Sequence, residues 1–167
     1  MVYISSSTTA AVNPIASEPK LNIKELYSAL VYKARHPEGF VAAIESSTIE
    51  HEHATGLTRR VVFKPGFMGK VEKQVVEEVV EFFPPTRVDF KVPATGMQVS
   101  NVISHEADKE DELYLTFSFD FPHPGITDRE AQKDEVEAHQ AEARKGGSKV
   151  VPHTIEVARQ MKIDGEL

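Results

Sequence analysis

The sequence predicts an α+β fold: a curved antiparallel sheet of about six to seven strands wrapped around a long C-terminal helix, with an internal apolar cavity between them. Three observations predict it. An amphipathic helical stripe lies near the N-terminus, about eighty residues of alternating hydrophobicity with short breaks follow, and the last forty residues return to helical character. Short breaks imply hairpins rather than crossovers, and a curved sheet with one apolar face needs a cover, which the terminal helix supplies. At 167 residues the chain reads as one domain spanning 1–167.

The elements follow in order. Residues 2–12, rich in Ser, Thr and Val, suit an extended strand. In LNIKELYSALVYKARHPEGF, Asn22 and Glu25 have capping-box spacing, and Ile23, Leu26, Tyr27, Leu30, Val31 and Ala34 form a helical stripe that Pro37 and Gly39 stop. Strands are then expected at Glu45–His53, Leu57–Lys64, Val71–Phe83, Arg87–Val92, Met97–Ser104 and Leu113–Phe121. The breaks between them are ATG, PGFMG, PPT, PATG and EADKEDE. Leu113, Leu115, Phe117, Phe119 and Phe121 alternate with polar residues and make the clearest half-buried strand. Thr127 and Glu130 form a second capping-box pattern before the terminal helix. Gly146, Gly147 and Pro152 predict that this helix is broken or kinked near 146–152.

Composition excludes several functions. A formal net charge of -7 with no lysine/arginine cluster argues against a nucleic-acid or anionic-membrane surface. The absence of cysteine removes disulfides, thiolate catalysis and zinc fingers. No apolar run approaches the roughly 20 residues of a membrane span. MVYISSSTTAAVN lacks the features of a signal peptide, so a cytoplasmic protein is expected. No phosphate-binding loop, dinucleotide fingerprint or nucleophile elbow is present, and no cofactor is expected. A homodimer through a sheet face or edge is permitted and not demanded.

Strand alternation singles out polar residues on apolar faces. In QVVEEVVEFFPP, Glu78 shares a face with Val76, Val80 and Phe82, whereas Glu77 and Glu81 lie on the other. Arg59 falls with Leu57, Val61 and Phe63, while Arg60 falls with Thr58 and Val62; one β-bulge would reverse that choice. Asn101 lies among Met97, Val99 and Ile103. A lone buried carboxylate is costly, so Arg59 and Glu78, on consecutive strands, either pair structurally or face a ligand. His51 and His53 share a face of their strand, but no third ligand has metal spacing, so no metal is assigned. The PGFMG tip at 65–69 reads equally as a lid or a hairpin turn.

LYSALVYKARHPEGFV, GLTRRVVFKPG, VEEVVEFFPPTRVDF, NVIS and ELYLTFSF, spanning about residues 10–165 in order, resemble the START-like superfamily of polyketide cyclases and birch-pollen allergens. The nearest resemblance is to the fungal branch named after protein L of the acetylaranotin biosynthesis cluster. It implies a helix-grip fold with a deep apolar cavity, and a role in binding or transforming hydrophobic small molecules. No catalytic set is shared across that superfamily, so no residue role carries over.

The expected function is cofactor-independent cyclisation, isomerisation or dehydration of a secondary-metabolite intermediate, polyketide- or alkaloid-like. The alternative is a non-catalytic carrier of an apolar ligand. Arg59 and Asn101 would hold a carbonyl or enolate oxygen, and Glu78 would transfer a proton. Phe63, Phe67, Val80, Phe90, Val99, Phe117, Phe119 and Ile155 would line the cavity, with Tyr27 and His51 as polar contacts.

Overall fold

The computed structural model describes residues 1–67 and 70–167. Its elements are β1 (Val2–Ala11), α1 (Ile23–Arg35), a 3-10 turn at Pro37–Gly39, β2 (Ile44–His53), β3 (Gly56–Phe63), β4 (Gln74–Phe83), β5 (Arg87–Val92), β6 (Met97–Glu106), β7 (Lys109–His123) and α2 (Lys133–Ile163). The seven strands form one antiparallel sheet ordered β1-β7-β6-β5-β4-β3-β2. Strands β1 and β2 are therefore opposite edges, and α1 lies in the connection between them. This is the expected α+β helix-grip arrangement, with α2 packed over β1 and β7 and in contact with α1.

The α1 capping box forms as the spacing predicts. Asn22 Oδ1 accepts from the Glu25 amide at 3.0 Å, and Glu25 Oε2 accepts from the Asn22 amide at 2.9 Å. Lys162 at the end of α2 donates to Glu25 at 2.7 Å and to the Lys20 carbonyl at 2.8 Å, which ties the start of α1 to the end of α2. The main core joins Leu26 and Leu30 of α1, Leu57, Val80, Val88 and Phe117 of the sheet, and Val151 and Ile155 of α2.

Several boundaries differ from the sequence-based expectation. β4 starts at Gln74 rather than Val71, because the ladder with β3 ends at the Phe63–Gln74 pair and Val71 is left exposed. β7 starts at Lys109, since β6 continues to Glu106 and the expected EADKEDE break contracts to a tight turn. The second capping box does not form. Asp128 Oδ1 instead accepts from the amides of Glu130 and Ala131, Gln132 Oε1 accepts from Thr127 and Asp128, and α2 begins at Lys133.

The expected break in the terminal helix is also corrected, because α2 runs unbroken for 31 residues through Gly146, Gly147 and Pro152. Its buried stripe of Gly147, Val151, Thr154, Ile155, Ala158 and Met161 continues straight past the proline. Burial of that stripe outweighs the local cost of proline, since tertiary packing supplies most helix stability in proteins. Gly147 has its own reason: a Cβ there would sit 2.4 Å from Thr8 Oγ1, so glycine lets α2 approach β1 closely. Gly146 faces open space.

The two glycines should therefore respond oppositely. Gly147→Ala is expected to cost about 1–3 kcal/mol by overpacking, partly recovered by adding Thr8→Ala. Gly146→Ala is expected to add up to about 1 kcal/mol from helix propensity. Urea midpoints of the variants test both signs.

Candidate functional site

The buried face of α1 consists of Leu26, Ala29, Leu30, Lys33 and Ala34. Lys33 lies seven residues after Leu26 and four after Ala29, so helical geometry turns its side chain toward the sheet. It is only 6% exposed. Sequence reasoning missed this residue, although the signal was present: the spacing 26, 29, 33 is as apolar-facing as the stripe through Tyr27 and Val31.

Arg59 of β3 and Glu78 of β4 are directly opposed across the ladder, and both are buried. Arg59, not Arg60, faces inward; Arg60 pairs with Glu50 at the surface. Arg59 Nε and Nη2 both donate to Glu78 Oε2, at 2.9 and 2.6 Å. Its remaining terminal nitrogen, Nη1, donates to the Ala34 carbonyl at 2.5 Å and the Lys33 carbonyl at 3.4 Å. One guanidinium thus neutralises the buried carboxylate and satisfies carbonyls of the last turn of α1, the negative end of that helix dipole.

Asn101 of β6 is fully buried, with Val88 opposite on β5 and Phe117 opposite on β7. Its Oδ1 accepts from Lys33 Nζ at 2.8 Å. The ammonium form of Lys33, which only donates, calls for this amide orientation. Asn101 Nδ2 is then buried without an acceptor among the described residues. Lys33 Nζ also stands 4.9 Å from the Phe90 ring centre and 4.6 Å from that of Phe117, and the Arg59 guanidinium carbon lies 5.1 Å from Phe90. Burial of the ammonium, aided by the charge of Arg59 and opposed by Glu78, pulls the Lys33 pKa down to about 7. The cluster therefore joins α1 and strands β3 to β7 around an amine poised between charged and neutral.

The other candidate residues divide. Val80, Phe90, Phe117 and Ile155 are buried in the same core, with Tyr27, Val99 and Phe119 partly buried against it. Phe63 and Phe67 lie elsewhere: they stack at 3.8 Å between ring centres in a separate cluster with Ile44 and Val61. His51 is exposed rather than inward, because bulges near Glu45 and Glu50 break the alternation of β2. The 65–69 loop lies partly outside the described residues. Among the described residues, no three His, Asp or Glu side chains are placed to hold a metal, and no helix is long and apolar enough to cross a membrane. A surface cleft of about 340 Å³, lined by Tyr32, His36, Phe40, Val157 and Met161 among others, opens where the C-terminal ends of α1 and α2 meet. Phe40 and Met161 connect it to the core.

With this geometry in place, comparison with known proteins is decisive for the family. The profile described as acetylaranotin biosynthesis cluster protein L matches residues 6–165. The chain belongs to this family. No curated protein matches it. Among solved structures, the Zhui aromatase/cyclase from Streptomyces sp. R1128 superposes with a TM-score of 0.67 at 12% identity, covering 96% of this chain and 96% of that one. The di-domain aromatase/cyclase StfQ of the steffimycin biosynthetic pathway gives a TM-score of 0.67 at 11% identity, covering 98% of this chain and 51% of its own. Ara h 8.0201 gives a TM-score of 0.58 at 11% identity, covering 94% and 98%. The chain spans about half the length of the di-domain proteins it matches. At these identities the likeness establishes the fold, which is the helix-grip fold that the resemblance read from the sequence implied.

Two outcomes follow for the cluster. Removing one partner of the buried pair, as in Arg59→Met or Glu78→Gln, is expected to cost roughly 3–5 kcal/mol, and the double variant Arg59→Met with Glu78→Leu to recover much of it. For Lys33, the unfolded chain keeps its proton up to about 10.5 and the folded chain loses it near 7. Between those values the unfolded state binds more protons, so stability rises with pH, by at most about 1.4 kcal/mol per pH unit. Below that window the cost is fully present. Urea unfolding of wild type and Lys33→Met across pH 6–10 is expected to show this rise in the wild type and its loss in the variant.

Proposed function

We propose that the protein binds a hydrophobic, oxygen-bearing small molecule between the sheet and its two helices. There it catalyses a cofactor-independent cyclisation, isomerisation or dehydration in secondary metabolism. The observation that carries this reading is a buried polar cluster in an otherwise apolar core, with the Asn101 amide nitrogen lacking an acceptor. Buried polar groups are normally satisfied, and an orphaned donor in an apolar surround marks a place where a ligand atom belongs. Membership of a family named for a biosynthesis cluster, and the fold shared with aromatase/cyclases, support the same direction.

In this reading the cleft between the ends of α1 and α2 is the mouth, and the ligand displaces core contacts near Phe90 and Phe117 as it enters. Asn101 Nδ2 donates to a carbonyl oxygen, and the Arg59 guanidinium supports the charge that develops there on enolisation. Glu78, whose bonds to Arg59 both fall on Oε2, has Oε1 with which to take a proton from the carbon beside that carbonyl and return it elsewhere.

A carrier is the second reading, favoured by one observation: Arg59 and Glu78 satisfy each other and the end of α1, as a structural pair would. Native mass spectrometry after incubation with extract of the source organism tests the common part, with one retained small molecule expected. Glu78→Gln then separates the readings. An enzyme is expected to lose turnover of that molecule at least a hundredfold while affinity changes little; a carrier changes only in affinity. Retention of nothing under gentle conditions overturns both.

A further inference from the structure

We propose that Lys33 and Asn101 form an anion-binding site, which takes the carboxylate or enolate oxygen of a monoanionic apolar ligand between Lys33 Nζ and Asn101 Nδ2. The proposal rests on the ligand-binding reading above and names the ligand's charge.

Donors and charges do not balance within this buried cluster. The charged groups acting on Lys33 are Arg59 from β3 and Glu78 from β4; Asn101 from β6 and the rings of Phe90 and Phe117 complete its surroundings. With Lys33 protonated, the cluster holds two cations and one carboxylate, an excess of one positive charge. Each nitrogen of the guanidinium is engaged, by Glu78 or by the carbonyls of Lys33 and Ala34. Lys33 Nζ has Asn101 Oδ1 as its hydrogen-bond acceptor and otherwise faces aromatic rings. Asn101 Nδ2 is buried and has no acceptor among the described residues. Two adjacent residues therefore offer N–H donors among apolar side chains, with one unbalanced charge when Lys33 is protonated. One anionic oxygen corrects both deficits, because it accepts from both nitrogens and brings the buried charge to zero. A neutral ligand corrects only the first.

The same geometry couples binding to proton uptake. Without ligand the Lys33 amine is largely neutral above pH 7, because burial disfavours its charge. An anion beside it restores the ammonium, so a proton enters with the ligand. The group that takes the proton is then next to the ligand oxygen, where it stabilises an enolate as it forms.

Three probes of similar shape test the proposal on the intact chain: 1-naphthoate, neutral 1-naphthamide, and a naphthyl 1,3-diketone whose enolate absorbs to the red of its neutral form. Isothermal titration at pH 6 and pH 8 in buffers of different ionisation enthalpy reads affinity and proton uptake together. The expected result is at least tenfold tighter binding of 1-naphthoate than of 1-naphthamide, with uptake approaching one proton at pH 8 and little at pH 6. Lys33→Met is expected to erase the preference. A red-shifted bound diketone assigns the site to enolates as well as carboxylates, and an unshifted one confines it to carboxylates. Equal affinity for acid and amide, absence of proton uptake at pH 8 in the wild type, or a preference surviving in Lys33→Met overturns the proposal. The uptake measurement needs no variant, so it decides even where Lys33→Met folds poorly. If acid and amide bind equally, the ligand-binding reading stands and this one falls; if no probe binds and the extract yields no retained molecule, both fall.

Discussion

The Arg59 guanidinium is the point on which the architecture turns. A buried ion pair is weak evidence for stability, because desolvation consumes most of what the attraction supplies. Here the guanidinium makes a third connection, to the carbonyls that end α1. The pair thereby fixes where the helix stops above the sheet. Shift the helix by one turn and those carbonyls lose their donor, Glu78 loses part of its setting, and Lys33 no longer reaches Asn101. The stabilisation is modest and the positional specificity is large, as expected of buried polar groups that set registry.

That placement gives Lys33 its chemistry. An exposed lysine is a cation at any physiological pH, whereas one held among Phe90, Phe117 and Arg59 is near its midpoint at neutrality. The aromatic rings contribute twice: they exclude the water that would stabilise the charge, and their faces attract the ammonium when it is present. A group under such opposed influences responds to small changes in what lies beside it.

Much of this was legible in the sequence. Period-two alternation placed Arg59, Glu78 and Asn101 on inward faces, because a strand offers only two directions and each face is labelled by its neighbours. The same rule failed for His51, since the bulges of β2 insert residues that the alternation cannot anticipate. Alternation also gives a face without saying which part of the core that face meets, so Phe63 faces inward yet joins a separate cluster, where Phe67 of the 65–69 loop stacks on it. Lys33 is harder to read, because a stripe through Tyr27 and Val31 lies to one side of the face that packs on the sheet, and a lysine carries no apolar label. The terminal helix was expected to break because glycine and proline are judged by local propensity. Packing of Val151, Ile155 and Ala158 decided otherwise.

The strand order carries one more consequence, for the growing chain. β1 pairs with β7 along its length, from Val2–His123 to Ala11–Tyr114, so its ladder cannot form until residues more than a hundred positions later have been made. At ribosomal rates of roughly 5–20 residues per second, that is a wait of about 5–20 seconds with an extended segment unpaired. VYISSSTTAA is well composed for it: half of it is serine and threonine, and Ile4 is its one fully buried large side chain. A segment so poor in apolar surface offers a neighbouring nascent chain little to hold, and closure of the sheet is left to its last strand.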